Sequence, residues 1–540
     1  MAGHNDISNL GFPLRILGAL SVLACAPHLW IGCTSGQGAP APGVADATAG
    51  DGGVVAPPLV LAITGPQRVR QGSTQRVPVA LERNGRPGVV TVEVLDLPEG
   101  VVADPLALQD GVGAGAVTLR ANATAPQGGP YASRVRVTVG GASTEQALRL
   151  YVAGAPGTLD TSFDFDGQAV LALSGSSDIL YSTLPLADGK TLLMGTTYVG
   201  GERTKAFVAR VFPDGTLDAA FGNGGKVLGL PVGSENAVYS AVPLRAGGYL
   251  MSALLASPLQ AVGGFVRLSD RGAFDTAFGE SGFAMTSTAP LSLFFPLPSG
   301  GYVGQTISNV GVYKFDANGA MDPTFGADGR LVGGGSTFVV DRQGKLVVVE
   351  RAGGAGQTAT LGFRRHDAGG ALDPTFNAPA GQTLVPLPGG DTASSPSCLA
   401  LPDGKIVATA SSVRLGTSRT TRGYMLRLLP TGGLDPTFGS GGLLSYPGAG
   451  NQAFLGAPLG LPDGSVLVQA VDFGGNDTPM QQAIRVQPDG SLDRSFGNTG
   501  VASLNHTVLA WSYDAEAGRA VGFATASAGS GGLVVQRLWL

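Results

Sequence analysis

Histidine and cysteine are scarce in this chain, which has four histidines and three cysteines among 540 residues. Two of each lie within the first 33 residues, so the remainder of the chain holds only His366, His506 and Cys398. No two histidines stand at metal-ligand spacing, and a histidine-based triad is thinly supplied. The sequence therefore predicts no catalytic residue, no metal and no cofactor. His366 is interpreted as a solvated or hydrogen-bonded loop residue rather than a base.

Charge is also sparse. Charged residues make up 14% of the chain, the net charge is -5, and the sequence contains no basic cluster. Nucleic-acid-binding domains present a basic patch, so nucleic acid is not expected as a partner. Glycine, by contrast, is abundant at 86 residues, beside 36 prolines. This composition is typical of a turn-rich β protein with ample material for a core.

The N-terminal region has the pattern of a secretory signal. Arg15 precedes an apolar stretch that is too short and too interrupted to span a membrane. A small residue precedes both Cys33 and Cys25, as at the lipidation site of bacterial lipoproteins; we predict lipidation at Cys33, with Cys25 as the alternative. Residues 1–33 are then a lipoprotein signal peptide. The Gly-, Ala- and Pro-rich residues 34–58 are a disordered tether.

Residues 59–153 alternate between apolar and polar side chains. Runs at 76–79, 91–95 and 133–139 are separated by turn residues at intervals of roughly ten, which predicts a small antiparallel sandwich. With the phrase Leu97-Pro-Glu-Gly-Val101, the segment resembles bacterial immunoglobulin-like modules. Such modules usually act as spacers or stalks.

From residue 157 to 540 one phrase recurs seven times. It reads Leu, Phe or Met, then Asp, two variable residues and Phe, as in Leu217-Asp218-Ala219-Ala220-Phe221. Copies follow one another at 47 to 62 residues, which indicates repeated supersecondary units. The aspartates are Asp160, Asp218, Asp275, Asp322, Asp373, Asp435 and Asp493.

Each phrase is interpreted as a corner that contains one capped helical turn. The Asp side chain would cap free backbone N–H groups, the Phe would be buried, and the next residue would adopt a positive φ. Calcium held between Asp214 and Asp218 is the alternative. A calcium loop needs six or more oxygens, and the first acid is missing from most copies, so structural capping is favoured.

A basic residue stands eight positions before the Asp in six copies, and the last strand carries one with no Asp after it. These residues could converge as an anion-binding funnel or pair with the corner carboxylates; pairing is favoured because unpartnered like charges are costly. Arg537 is predicted to pair with Asp160, which closes the array into a ring. The predicted structural basic ladder consists of Arg210, Arg267, Lys314, Arg365, Arg427, Arg485 and Arg537.

Between corners, most copies carry a hairpin signal such as Ala187-Asp-Gly-Lys190 or Pro402-Asp-Gly-Lys405. Each copy then holds about four short strands and no crossover helix, which is typical of a propeller blade. The predicted fold is all-β: an immunoglobulin-like β-sandwich followed by a seven-bladed β-propeller at residues 157–540.

The repeated phrases resemble the delta-60 repeat proteins. Pro213-Asp-Gly-Thr-Leu-Asp-Ala-Ala-Phe-Gly222 and Pro488-Asp-Gly-Ser-Leu-Asp-Arg-Ser-Phe-Gly497 carry the resemblance, which covers the chain from about residue 157 onward. The resemblance implies a secreted or surface protein with a β-propeller and no assigned activity. It supplies no catalytic residues.

These observations predict a monomeric, non-catalytic lipoprotein of the cell envelope, anchored in the outer membrane or at the cell surface. Its propeller would bind or display a protein or glycan ligand. The alternatives are an extracellular propeller enzyme that acts on polysaccharide and a purely structural envelope component. Paired acids confined to one or two blades would favour the enzyme, because acids repeated in every blade belong to the scaffold.

Overall fold

The computed structural model describes residues 58–173, 177–199, 203–231, 235–257, 260–286, 289–307, 311–331, 336–352, 357–414, 420–448, 452–473, 479–526 and 532–540. The predicted signal peptide with Cys33 and Cys25, and the tether up to residue 57, lie outside the described residues. Two compact units are present. One comprises residues 168–513 and 520–538; the other comprises the described part of 29–167 together with 514–519 and 539–540.

Every regular element in the described ranges is a β-strand. Correspondingly, none of the described residues belongs to a helix of the length and apolarity needed to cross a membrane. The all-β prediction is therefore confirmed for the part of the chain that the structure describes.

In the second unit, nine strands form two sheets. One sheet has the order β1-β3-β7-β5 and the other β2-β9-β8-β4-β6. Neighbouring strands are antiparallel, apart from the parallel pair of β2 and β9. The strands are β1 (Val60–Ala62), β2 (Gln67–Arg70), β3 (Thr74–Glu82), β4 (Val90–Leu95), β5 (Val101–Asp104), β6 (Leu106–Leu108), β7 (Ala114–Ala121), β8 (Gly128–Val139) and β9 (Ala142–Ala153).

The period-two pattern places alternate side chains of both sheets in one core. In β3, Val77 and Val79 are buried while Pro78 between them is exposed. Val92 and Val135 from the other sheet pack into the same cluster. Successive side chains of a strand point to opposite faces, so the alternation in the sequence selects the buried face directly. The runs predicted as strands at 76–79, 91–95 and 133–139 lie within β3, β4 and β8, and these predictions are confirmed.

Most of the repeat region forms the other unit, and the strands of the repeat region fall into consecutive antiparallel groups. The strands are β10 (Gln168–Leu171), β11 (Ser177–Pro185), β12 (Thr191–Val199), β13 (Arg203–Val211), β14 (Lys226–Leu228), β15 (Glu235–Pro243), β16 (Tyr249–Ser257), β17 (Gln260–Leu268), β18 (Phe283–Met285), β19 (Leu291–Pro296), β20 (Tyr302–Thr306), β21 (Val312–Phe315), β22 (Arg330–Leu331), β23 (Thr337–Val340), β24 (Leu346–Ala352), β25 (Thr360–His366), β26 (Gln382–Pro386), β27 (Thr392–Ala393), β28 (Ser397–Ala400), β29 (Ile406–Arg414), β30 (Thr420–Leu428), β31 (Leu443–Tyr446), β32 (Gln452–Gly460), β33 (Val466–Phe473), β34 (Pro479–Val486), β35 (Val501–Leu504), β36 (Ala510–Asp514), β37 (Arg519–Thr525) and β38 (Leu533–Trp539).

Each of the first four groups is a meander of consecutive strands, β11 to β14, β15 to β18, β19 to β22 and β23 to β26. A nine-stranded sheet contains two further groups, β27 to β31 and β32 to β35. Between these groups, the described residues form one bridge, from Thr421 to Gln452. The predicted hairpins connect the first two full strands of each group, as where Pro185 lies opposite Thr191.

The first and last strands of the repeat region lie in one sheet, of order β10-β38-β37-β36. Gln168 is opposite Gln536, and Leu171 is opposite Leu533. The sequence pattern predicted that the two ends of the array complete one unit, and this pairing agrees with it.

The corner phrase forms a turn, and the predicted helical turn is wrong. In the copy at Asp218, the N–H of Phe221 donates to the carbonyl of Asp218 at 2.9 Å, which closes a β-turn. The next residue, Gly222, has φ of 56° and turns the chain away from a helical path. All seven residues that follow the Phe have positive φ, as predicted, even where they are Asp164 and Asn377.

In the turn before a corner, only glycine fits at the position where one copy contacts the backbone of another. A Cβ on Gly490 would lie 2.3 Å from the backbone nitrogen of Gly439, whose N–H donates to Asp489 O at 2.7 Å. Gly441 also has positive φ, but nothing lies within 4 Å of its Cβ position.

We expect Gly490→Ala to destabilise the protein more than Gly441→Ala does. Both alanines incur about 1–2 kcal/mol for the left-handed conformation, and Gly490→Ala adds about 1–3 kcal/mol because its methyl group collides with the neighbouring backbone. Urea unfolding followed by fluorescence measures the difference. Equal destabilisation by the two substitutions would contradict this contact.

Candidate functional site

The corner aspartates all make the same local contact. One carboxylate oxygen, Oδ1, accepts a hydrogen bond from the backbone N–H of the residue two positions on, at 2.9 to 3.2 Å. This fixes the turn and leaves the second oxygen available. The aspartates are Asp160, Asp218, Asp275, Asp322, Asp373, Asp435 and Asp493.

In five copies, the second carboxylate oxygen, Oδ2, forms an ion pair with the basic residue that stands eight positions earlier in the chain. The nitrogen–oxygen distances are 2.7 Å for Arg210–Asp218, 3.1 Å for Lys314–Asp322, 2.8 Å for Arg365–Asp373, 2.8 Å for Arg427–Asp435 and 3.3 Å for Arg485–Asp493. The pairing of Arg537 with Asp160 stays a prediction.

A second cation reaches the same oxygen from the hairpin, and sequence reasoning missed it. The distances are 3.0 Å for Lys190–Asp218, 2.7 Å for Lys345–Asp373 and 3.2 Å for Lys405–Asp435. The corresponding hairpin residue Arg519 pairs with Asp160 and also donates to Asp514 at 2.9 Å. In these copies the last residue of the hairpin is basic. This was the feature of the sequence from which the second cation could have been predicted.

Three of the paired corner arginines also stack on the corner phenylalanine. The guanidinium carbon lies 4.7 Å from the ring centre of Phe221 for Arg210, 4.9 Å from that of Phe376 for Arg365, and 4.7 Å from that of Phe438 for Arg427. The attraction between a cation and an aromatic face adds to the ion pair where water is excluded. The ring and the carboxylate together hold the planar group in one orientation.

The same guanidinium then reaches the next copy. Nη1 of Arg210 donates to Asp270 O at 2.5 Å, and Nη1 of Arg427 donates to Pro488 O at 2.5 Å. Arg365 makes the equivalent bond to Pro430 O at 2.7 Å. One side chain therefore joins the corner of its own copy to the turn before the next corner. We call this group of Arg, Asp, Phe and following carbonyl the corner clamp.

Electrostatics keeps the clamp carboxylates ionised. Hydrogen bonds from Lys345 and Thr375 hold the pKa of Asp373 well below its usual range. At Asp435, burial raises the pKa of the carboxyl group. The hydrogen bonds from Thr437 and Lys405 and the charge of Arg427 together lower this pKa by more than burial raises it, so the net shift is downward. Asp435 is 1% exposed and Arg427 is 6% exposed. A buried pair of this kind is stable only while both partners are present.

The third copy, with its corner at Asp275, departs from this arrangement. Arg267 lies 4.2 Å from the ring centre of Phe278 and donates from Nη2 to Ala317 O at 3.0 Å. Within the described ranges, however, no ion pair joins Arg267 to Asp275, which is exposed. The Nε of Arg267 is buried without a hydrogen-bond partner.

Two residues considered for chemistry have structural surroundings. The Nδ1 of His366 lies 3.1 Å from Gly370 O, and burial lowers the pKa of its imidazole. Cys398 is buried outside any disulfide, and its Sγ lies 3.9 Å from the Oγ1 of Thr337. The described residues contain no group of three or more His, Cys, Asp and Glu side chains that could hold a metal ion.

One aromatic pair was not predicted. Tyr181 and Tyr239 occupy β-bulges on the first strands of consecutive groups, and their rings stack with centres 4.7 Å apart and planes 7° apart. Both side chains are half-buried. Burial raises the pKa of each phenol, so both are neutral at physiological pH.

Comparisons with known proteins agree with the repeat architecture. Residues 186–221 and 401–438 match the family model described as "Domain of unknown function (DUF5122) beta-propeller". Each segment runs from a hairpin to the Phe of the following corner. No curated protein matches the chain.

Several solved structures resemble the chain weakly. A protein of unknown function from Bacteroides caccae is 11% identical, with 70% of this chain and 98% of that chain covered and a TM-score of 0.25. A glucose dehydrogenase is 14% identical, with 68% and 98% covered and a TM-score of 0.29. The sialic acid binding region of a Streptococcus sanguinis adhesin is 11% identical, with 59% and 98% covered and a TM-score of 0.15. Scores this low carry no argument about the function of this chain.

Asp435→Asn should destabilise the protein far more than Asp275→Asn. Asparagine keeps the turn-capping oxygen in both variants, but at Asp435 it leaves Arg427 buried without a countercharge, which costs about 3–5 kcal/mol. Asp275 forms no ion pair with a buried cation in the described ranges, so Asp275→Asn should change the free energy of unfolding by no more than about 0.5 kcal/mol. Denaturant unfolding at neutral pH provides the comparison, and similar losses in both variants would show that the clamp is not the cause.

Acid should weaken the protein through the same carboxylates. The pKa of Asp218, Asp322, Asp373, Asp435 and Asp493 is lowered in the folded state, so the unfolded chain takes up protons first as the pH falls. The contribution of these groups is complete above their unfolded pKa of about 3.9 and is lost as the pH falls through their folded values. The free energy of unfolding should fall below about pH 5, and it should fall less steeply in Asp435→Asn. Identical slopes in the two proteins would contradict this origin.

Proposed function

We propose that residues 157–540 form a closed seven-bladed β-propeller of delta-60 type, preceded by an immunoglobulin-like spacer at 59–153. Six meander groups and the sheet that joins β10 to β38 support seven blades. The β-propeller family match at two of the copies supports the same architecture. In such a ring, the pairing of the first strand with the last removes the exposed sheet edges.

We further propose that the protein is a non-catalytic lipoprotein of the cell envelope whose propeller serves as a binding or display scaffold. The observation that carries the scaffold role is the corner clamp. Its charged residues recur from copy to copy, and their contacts lead from one copy to the next. Acids used in this way hold the blades in register rather than act on a substrate.

The rival function is a propeller enzyme that acts on polysaccharide. General acid–base chemistry on a glycosidic bond uses two carboxyl groups, one of which has a raised pKa. At the corners, the resolved pKa shifts of the aspartates are downward, which is the opposite of what a general acid needs. This direction favours the scaffold over the enzyme.

The envelope assignment rests on the N-terminal sequence, with Cys33 as the proposed lipid attachment site. A cysteine after a small residue, followed by a Gly/Ala/Pro tether, would carry the folded part away from a membrane surface. The proposed partners are therefore a membrane, through the anchor, and a protein or glycan ligand.

Labelling with radioactive palmitate in a bacterial host tests this assignment. The full-length chain and Cys25→Ser should incorporate label and sediment with the envelope, whereas Cys33→Ser should do neither, because it lacks the acceptor thiol. Loss of label in Cys25→Ser alone would move the anchor to that residue, and absence of label from the wild type would refute the lipoprotein. Release of new reducing ends from envelope polysaccharide by the purified chain would favour the enzyme.

A further inference from the structure

The two ends of the repeat region are joined by one short strand. β10 is four residues long and pairs with β38 from Gln168 opposite Gln536 to Leu171 opposite Leu533. Within a copy, a strand pair can extend over nine residues, as between β12 and β13. In the proposed ring, few backbone hydrogen bonds of β10 therefore hold the first and last copies together.

Two segments beside this pairing belong to the other compact unit, which contains the two sheets of residues 59–153 (the two-sheet module). One is residues 514–519, which join β36 to β37 and which we call the closing hairpin. The other is residues 539–540, at the end of β38. β37 and β38 therefore each have one end in the unit of the two-sheet module.

Trp539, the last residue of β38, is bound by side chains of the two-sheet unit. Its indole Nε1 donates to Gln127 Oε1 at 2.9 Å, and its ring is 1% exposed in a cluster with Tyr151 and Ala517. At Gly154, a Cβ would lie 2.7 Å from Gln127 Nε2 and 2.8 Å from Trp539 Cδ1, so only glycine fits. The end of the chain is thus closely packed against residues 127–154.

The closing hairpin is bound by side chains from β2 and β9. Arg68 donates from Nε to Glu516 O at 2.8 Å and from Nη2 to Ala515 O. The hydroxyl of Tyr151 donates to Glu516 Oε2 at 3.1 Å, and Arg149 forms an ion pair with the same carboxylate. The exposed ion pair contributes little by itself. The bonds from Arg68 to backbone carbonyls hold the hairpin in place whatever side chains it carries.

The segment that leads from the two-sheet module to β10 also pairs with the end of the chain. The N–H of Gly157 donates to Trp539 O at 2.8 Å, and the N–H of Trp539 donates to Thr158 O at 3.0 Å. Since Trp539 ends β38, these bonds continue the pairing of β10 with β38 toward the two-sheet module. Separation of the two ends of the repeat region must break them together with the bond to Gln127.

We propose that the two-sheet module acts as a closure lock: by holding the closing hairpin and Trp539, it keeps β10 paired with β38. The inference rests on the proposed closed ring and gives the module a function beyond that of a spacer. The module's contacts with the closing hairpin and Trp539 are made in the closed state and are lost when the ends part, so they raise the free energy of that opening.

Hydrogen exchange of the purified full chain, followed by mass spectrometry, tests the proposal. The readout is the exchange of the backbone amides at 168–171 and 533–538, which belong to the unit of the repeats. A change there reports opening of the ring rather than direct loss of a contact with the two-sheet module. The paired strands β24 and β25, from another copy, are the reference.

Two test variants have matched controls in the same module. Arg68→Ala and Gln127→Ala remove side chains that hold the end of the chain. Arg120→Ala removes an arginine paired with a carboxylate within the module, and Gln146→Ala removes a glutamine bonded to backbone groups within it. We expect each test variant to exchange about three- to tenfold faster at 168–171 and 533–538, and the controls to match the wild type there.

Tyr151→Phe is a milder variant that removes only the hydroxyl bonded to Glu516. It should accelerate the same amides by a smaller factor, and it provides the test if an alanine variant does not fold. Circular dichroism verifies that each variant is folded. In all of them, β24 and β25 should exchange as in the wild type, because their copy makes none of the altered contacts.

Three outcomes would overturn the proposal, and they separate the lock from the ring on which it rests. Slow exchange at 168–171 and 533–538 in the wild type that no test variant accelerates would refute the lock alone. Equal acceleration by the control variants would assign the effect to general loss of stability in the module. Fast exchange of these amides in the wild type would refute the closed ring itself.

Discussion

The repeat region depends on the placement of one guanidinium group among three partners. At Arg427, these are the carboxylate of Asp435, the ring of Phe438 and the carbonyl of Pro488. Two of them belong to the same copy, and the third belongs to the next. A single side chain therefore fixes the fold of a corner and the position of its neighbour, and a change in any partner disturbs both.

A buried ion pair is an expensive way to join two elements. Removing two charges from water costs several kcal/mol for each ion, and well-packed apolar residues often do as well or better. The clamp offsets this cost with several directed bonds, including a lysine from the hairpin in copies such as that of Lys405. The clamp makes the pairing of neighbouring copies specific. A carboxylate and a guanidinium bind each other in few relative positions, whereas apolar strand groups of similar shape could pair in several registers.

The local features of each copy could be predicted from sequence because they depend on residues close together in the chain. The capping Asp, the positive φ after Phe221 and the hairpin before Thr191 all follow from residue preferences within a few positions. The helical turn was wrong because the same residues cap a β-turn equally well, and local sequence does not separate the two. Seven blades and the immunoglobulin-like class remain predictions, as does the pairing of Arg537 with Asp160.

Contacts set by strand register were beyond sequence reasoning. Lys190 reaches Asp218 because β12 and β13 pair with Leu192 opposite Arg210, which brings the hairpin end beside the corner. Spacing along the chain, about half a copy, gives no indication of that proximity until the register is known. The sequence rule of a basic residue eight positions before each Asp predicted five ion pairs correctly, and it also predicted one at Arg267 that is not formed.

The copy that lacks the ion pair shows which contacts of the clamp are kept without it. The five copies that form the ion pair provide the comparison for the copy of Arg267, which does not form it. At Arg267, the framework retains the strand, the stacked ring and the carbonyl of the next copy, but the internal carboxylate is turned to solvent. Gly248 excludes the compensating lysine at the same place, so the loss of the acid and the loss of the second cation occur together. The stacked ring of Phe278 and the carbonyl of Ala317 therefore hold Arg267 in its corner without an ion pair to Asp275.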